Sequence, residues 1–259
     1  MKIATWNLNN RVGKVRFRPE AADAAVALGA DVLVLTEFFP QEHESRFRDA
    51  LRRAGLGEQI MSAQPTEVAN RVLIASRLPL APLTIEGPTF DQQFRANIAA
   101  VSLPSMGLSI VGVRVPAYGA NESAFLRQAW EWIESAAAML RHEAAVVLGD
   151  LNVSGASPDS RGGGHFRRIL ASGWQRAVPA DAATYFGHGG KTSEIDHILA
   201  TDRCVLSEAA CIKSTGSFTY CDSQGAISDH AALQCRIEPR ASRATDRSRH
   251  PEQEPHDRG

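Results

Sequence analysis

The sequence is poor in cysteine, has no long apolar run and carries no excess of one charge. Each absence removes a class of function. Four cysteines stand at 204, 211, 221 and 235. None forms a C-x-x-C pair and no His/Cys pair has zinc-finger spacing, so a zinc module is excluded and reduced, structural thiols are expected. No stretch is long and apolar enough to span a bilayer, so no membrane anchor is expected. The opening MKIATWNLNN has one Lys but no apolar leader segment, and the expected location is cytoplasmic. Basic residues number 28 against 29 acidic, for a net charge of −1. A protein that grips nucleic acid by bulk charge alone would be more basic, although a local patch is compatible with this balance. No repeat is visible and no protein partner is evident, so a monomer is expected.

What is present is a 44% hydrophobic chain of 259 residues, enough for one large core. Short apolar runs at 2–6, 31–36, 71–76, 97–103, 108–115, 144–149, 195–200 and 231–237 predict strands. Helical patterns are predicted at 18–28 behind Pro19, at 43–54 before Gly55, at 121–141 with Asn121 as cap, and at 165–172 before Gly173. The alternation is irregular, which favours an α+β or layered α/β sandwich over a Rossmann sheet. Residues 1–238 read as one domain. Residues 239–259 have no large apolar side chain and mix both charges, which predicts a disordered tail.

The chemistry gathers at strand ends. One run ends in Asn7, another in Glu37, and a third breaks at Gly149 into Asp150 and Asn152. Asp196 with His197, and Asp229 with His230, stand at two strand starts. Taken singly each has an ordinary reading: a turn Asn, a surface Glu, an Asx turn, a strand cap. Strand ends on one rim of a sheet can instead converge. Four clustered carboxylates repel one another unless a cation neutralises them. Oxygen ligands with room for water suit Mg²⁺, or Mn²⁺ in its place, better than zinc. A hard cation beside Asp, Asn and His is chemistry suited to phosphate-ester hydrolysis. SRGGGHFRR, at 160–168, lacks the Lys-Ser/Thr pair of a P-loop and reads as a loop entering a helix, with Arg161 and His165 as marginal substrate contacts.

The stretches ATWNLNN, DVLVLTE, RVLIASRLPL, VVLGDLNV, SEIDHILAT and ISDHAAL occur in an order that resembles the endonuclease/exonuclease/phosphatase superfamily. The resemblance implies a four-layer α/β sandwich, two packed mixed β-sheets flanked by helices. It implies Glu37 as metal ligand with Asn7 and Asp229 beside it, and Asp150 as the group that orients and deprotonates water. Asn152 is then the partner of the nucleophile or a phosphoryl oxygen, and His230, held by Asp196, the phosphate contact. Asp150 and Asn152 are expected to alternate along one extended segment. His197, next to Asp196, is expected to pack on the sheet.

Arg114 stands where relatives usually carry Tyr or His. It is expected to hold a nearby metal-site carboxylate when substrate is absent and a phosphoryl oxygen when it is present. Lys191 is the candidate replacement for an Arg common before the Asp196 position. The function implied is a Mg²⁺-dependent phosphodiesterase, a nuclease on DNA or RNA. A phosphatase or phospholipase of small or lipid phosphoesters, or a silent binding module, are the alternatives. A basic groove is expected from Arg11, Lys14, Arg16, Arg71, Arg77, Arg95 and Arg114.

Overall fold

A computed structural model describes residues 1–13, 15–63, 69–87, 92–116, 123–154, 162–222 and 224–240. Its strands in chain order are β1 (Lys2–Asn7), β2 (Val32–Phe38), β3 (Glu58–Met61), β4 (Arg71–Ser76), β5 (Ala81–Pro82), β6 (Ile98–Leu103), β7 (Leu108–Arg114) and β8 (Ala145–Asp150). They continue with β9 (Gln175–Arg176), β10 (Tyr185–Phe186), β11 (Thr192–Ser193), β12 (Asp196–Ala200), β13 (Cys204–Ile212), β14 (Ser214–Thr215), β15 (Phe218–Thr219) and β16 (Ala232–Pro239). The helices are α1 (Ala21–Ala27), α2 (Glu44–Arg53), α3 (Ser123–Leu140) and α4 (Gly163–Ala171). Asn121, Lys14, Arg161 and residues 241–259 lie outside the described residues.

Two six-stranded sheets form, in the orders β13-β16-β1-β2-β4-β3 and β5-β6-β7-β8-β12-β9. Each has one parallel pair at its centre, β1 with β2 and β7 with β8, and antiparallel neighbours outside it. A parallel pair needs a crossover, and α1 and α3 supply it.

Period-two alternation then builds the layers. Val32 and Val34 of β2 face Ile110, Val146, Leu148 and Ile198 of the second sheet, in a core between the sheets. Leu33 and Leu35, on the other face of β2, pack with Ala21, Ala25, Phe47 and Leu51 of α1 and α2. Val111, Val113 and Val147 pack outward on Trp130, Ile133, Ala137, Phe166 and Ile169 of α3 and α4. The result is the expected four-layer sandwich. Gly112 lets the sheets approach, since a Cβ there would meet Val34 Cγ1 at 2.8 Å and Val72 Cγ1 at 2.9 Å.

Because β1, β2, β7 and β8 run in parallel pairs, their carboxyl ends deliver Asn7, Glu37, Arg114 and Asp150 to a rim. The antiparallel β12 starts there, with Asp196 directly across from Asp150. No helix among the described residues is long and apolar enough to cross a membrane. All four cysteines are unpaired.

Candidate active site

Three polar bridges join the sheets at this rim, each with one residue from either sheet. Asn7 Nδ2 donates to Asp150 Oδ2 at 2.9 Å. Arg114 reaches Glu37 Oε1 through Nε at 3.0 Å and Nη2 at 2.9 Å. His230 Nδ1 lies 2.7 Å from Asp196 Oδ2. Asp229 sits beside them, its Oδ1 3.9 Å from His230 Nε2. Seven of the eight candidate site residues thus meet at this rim, and Asn152 joins them through Asp150 Oδ2 at 3.2 Å.

Local backbone explains the aim of each side chain. Gly149 precedes Asp150 at φ 141°, and a Cβ on it would fall 1.9 Å from Val113 O. Only glycine fits, so the β7–β8 ladder closes tightly behind Asp150. Asn152 does not continue the strand as the alternation predicted. It sits at φ 48°, and its backbone N–H turns back to Asp150 Oδ1 at 3.0 Å while Nδ2 lies 3.2 Å from Oδ2. The Asx turn and the site are one object, and the turn rather than the pleat aims Asn152. Asn152 Nδ2 is anchored on Val115 O at 2.6 Å.

Glu37 lies at a bulge, where the β2–β4 register shifts between Leu35 and Phe38, and has φ 51°. His230 is fixed from below: Trp6 Nε1 donates to its carbonyl at 2.9 Å, and Ser228 Oγ accepts its N–H at 3.1 Å.

Burial sets the charges. Asp150 is 2% exposed. Burial raises its pKa to about 7; Asp196 and Glu37 push it the same way, while His230 and Arg114 oppose. For His230 burial alone would lower the value, but the Asp196 carboxylate and its hydrogen bond, with Asp150 and Asp229, raise it to about 9. That raised value favours the His230 imidazolium at neutral pH, with Nδ1–H donated to Asp196 Oδ2. Asp196 Oδ1 is buried with no hydrogen-bond partner among the described residues. His197 points to the other face: its Nε2 is 2.8 Å from Val153 O and its ring 4.7 Å from Phe166. Burial lowers its pKa, as expected of a packing residue.

The basic residues divide. Arg11 bonds Ile227 O at 2.5 Å and Arg16 bonds Asn9 Oδ1, both beside the site. Arg77 follows the end of β4 that pairs with Val32, at the opposite end of the sheet, and donates to Ala54 O at 2.7 Å. It cannot line a groove at the rim. Arg71 turns to Ser62 O. His165 contacts Glu134 at 2.7 Å rather than standing free. Lys191 is exposed after the β10 turn.

Sequence reasoning missed Asn9 and Asn10. Both have positive φ, 45° and 60°. Asn9 Nδ2 donates to Asp229 Oδ1 at 2.7 Å, and Asn10 Nδ2 to Glu37 Oε2 at 3.2 Å. Their signal was the Asn run itself, since Asn tolerates left-handed backbone. Tyr185 was missed too: its backbone bridges His230 and its ring lies 5.2 Å away.

As they stand, no three His, Cys, Asp or Glu side chains among the described residues are close enough to hold a metal ion. The donors available are Glu37, Asp229 and the Asn7 carboxamide, all oxygens. The Glu37 oxygen already attracts a cation, that of Arg114. This donor set fits a hard divalent ion.

Comparison with known proteins gives a sequence-profile match over residues 4–230 to the Endonuclease/Exonuclease/phosphatase family. By sequence, no curated protein matches. Among solved structures, the 3′ phosphatase NExo from Neisseria, bound to product DNA hairpin, is similar with TM-score 0.69 and 22% identity over 92% of this chain and 99% of that one. An AP endonuclease from Archaeoglobus fulgidus gives 0.68 and 19% over 92% and 99%. An endonuclease/exonuclease/phosphatase from Beutenbergia cavernae gives 0.67 and 16% over 93% and 72%. At these identities the likeness speaks for the fold alone.

Proposed function

The chain belongs to the endonuclease/exonuclease/phosphatase family, and from that premise we propose that its rim is a Mg²⁺-dependent phosphodiesterase site acting on nucleic acid. The observation that carries this reading is the state of Asp150. A carboxylate buried at the rim, held by Asn7 and Asn152 and raised in pKa by burial in the metal-free protein, is placed to accept a proton.

In this reading Asp150 takes a proton from the attacking water as its oxygen bonds to phosphorus and the leaving oxygen departs on the opposite side. Asn152 steadies the nucleophile or a phosphoryl oxygen. His230, cationic through Asp196, offers Nε2–H to the charge that grows on phosphorus oxygens. Arg114 contributes a second donor. Glu37, with Asn7 and Asp229, would hold Mg²⁺, with Mn²⁺ as substitute. That ion neutralises phosphoryl oxygens when bound.

Nucleic acid is favoured over a small or lipid ester by the surroundings. A groove of about 540 Å³ adjoins Asn10, lined by Arg16, Gln41 and Asn70 together with the apolar Val15 and Phe39. Arg16 there can meet a backbone phosphate, Phe39 can meet a base, and the similar NExo structure holds DNA. We further propose that the folded domain acts as a monomer; it runs past the expected boundary at 238, since Pro239 pairs with Cys204 and the Arg240 N–H donates to Arg203 O at 2.7 Å. The four unpaired thiols support a reducing, cytoplasmic setting.

The test incubates purified protein with Mg²⁺ or Mn²⁺ and a panel of abasic, nicked and single-stranded DNA, RNA, inositol phosphates and sphingomyelin. Cleavage of a nucleic acid, lost in EDTA, is expected. Turnover confined to inositol phosphates or sphingomyelin would move the reading to a phosphatase or phospholipase. Inertness toward the whole panel would leave a silent binding module.

A further inference from the structure

Arg114 holds one oxygen of the Glu37 carboxylate. Both its Nε and its Nη2 converge on Glu37 Oε1, at 3.0 and 2.9 Å, rather than spreading over the two oxygens. Oε2 accepts from the neutral Asn10 amide at 3.2 Å. The third nitrogen, Nη1, is tied elsewhere, to Asn97 Oδ1 at 3.3 Å. Each partner of the ion pair has a side chain 15% exposed, so solvent screens it only in part. Arg114 is also paired in register with Asp150, so the same guanidinium stands beside the proposed base.

The two N–H groups of Arg114 fill both lone pairs of Glu37 Oε1, so a divalent ion on that oxygen must displace at least one of them. We propose that Arg114 is a displaceable internal cation: it occupies Glu37 in the metal-free protein, and a divalent ion that takes Glu37 releases its Nε and Nη2 to a substrate phosphoryl oxygen. The Asn97 contact anchors Nη1 while the other two nitrogens turn. This inference rests on the reading of Glu37 as a metal ligand.

Two consequences separate it from a simple phosphate contact. Metal binding must work against the ion pair, so the protein binds its metal more weakly than the ligand set allows. Metal and phosphate must also favour one another, because the metal frees the fork that binds phosphate, and this coupling is reciprocal. A positively charged residue that only repelled the metal would give the first consequence without the second.

The experiment titrates the metal-free protein with Mn²⁺, reading free Mn²⁺ by electron paramagnetic resonance, with and without millimolar inorganic phosphate. No turnover is involved. Arg114→Gln is expected to bind Mn²⁺ about tenfold more tightly than wild type, and Arg114→Lys to fall between, since it keeps the charge but loses the fork. Asn97→Ala, which loosens only the anchor, is expected to tighten Mn²⁺ about twofold and guards against a misfolded Arg114 variant. Phosphate is expected to tighten Mn²⁺ several-fold, roughly, in wild type and not in Arg114→Gln.

Equal or weaker Mn²⁺ binding by folded Arg114→Gln and Asn97→Ala, with Glu37→Gln still impaired, overturns the inference and leaves the site reading intact. Phosphate coupling that persists in Arg114→Gln also overturns it. Failure of wild type to bind Mn²⁺, or binding by Glu37→Gln equal to wild type, overturns the metal reading itself and this inference with it.

Discussion

The two sheets are laid out alike and equipped differently. Each has six strands, a central parallel pair joined through a helix, and two helices on its outer face. The second sheet brings Arg114, Asp150 and Asp196 to the rim as strand residues inside the ladder. Asp196 is fully buried there. The first sheet brings Asn7 in the same way, buried at the end of β1, but its Asn9, Asn10 and Glu37 all have positive φ, as Asn152 alone does among the polar side chains on the second sheet's side. Its Asp229 side chain is 39% exposed. Rigid placement suits the proton-handling group, whose pKa depends on a dry, fixed surround. A set that joins a strand end, a bulge and the half-exposed Asp229 leaves room for an ion that must enter and keep water. In the proposed division of labour the second sheet supplies the base and the first supplies the metal, with His230 crossing from the first sheet to lean on the second.

The comparison breaks first at Asp150. Asp150→Asn should lower kcat by about 10³-fold or more while substrate affinity changes little, since only proton transfer is removed. Single-turnover cleavage with a separate binding measurement checks this. A loss confined to affinity would take the base role away from the second sheet.

Next comes the crossing pair. His230→Ala should cost about 10²–10³-fold in kcat, as for loss of one donor to developing charge. Asp196→Asn should cost less, because Asp196 acts through the imidazole. The double variant should fall well short of additive, since the two touch at 2.7 Å. Additive losses in that cycle would mean that the pair does not act as a unit in solution.

The smallest effect is on stability against pH in the metal-free protein. His230 has its folded pKa raised to about 9, so its contribution is fully present below the unfolded value near 6.5 and is lost as pH rises through about 9. Asp150 is raised to about 7 from 3.8, so its contribution likewise belongs to low pH and disappears as pH climbs through about 7. Both groups make Tm in EDTA fall with rising pH. Asp150→Asn should flatten the fall between about pH 4 and 7, and His230→Gln that between about 6.5 and 9. Thermal melts across that range would show it, and a wild-type Tm that rises from pH 6.5 to 9 would contradict the His230 assignment.

Much of this was legible in the sequence where burial is strong. The runs that became β1, β2, β7 and β8 are apolar because both faces of each strand are covered, and their ends mark the rim. β13 was not legible. CVLSEAACI lies at the sheet edge, half exposed and bulged between Ser207 and Ala210, so it shows neither a clean alternation nor an apolar run. Asp196 and His197 were correctly sent to opposite faces by alternation alone. Asn152 was not, because a turn had replaced the pleat. Arg77 was assigned to the groove because sequence does not give a strand's direction, and the antiparallel β4 carries it away from the site. The holds of Asn9 on Asp229 and of Asn97 on Arg114 join residues 220 and 17 positions apart and become visible only in three dimensions.

The division between the sheets is tested most directly by the Mn²⁺ affinity of Asp150→Asn set beside that of Glu37→Gln, both folded and both without substrate. The account predicts that Asp150→Asn stays within about threefold of wild type while Glu37→Gln weakens Mn²⁺ by about 10-fold or more. If Asp150→Asn loses Mn²⁺ as severely as Glu37→Gln does, the second sheet is a metal donor and the proposed separation of base from metal is wrong.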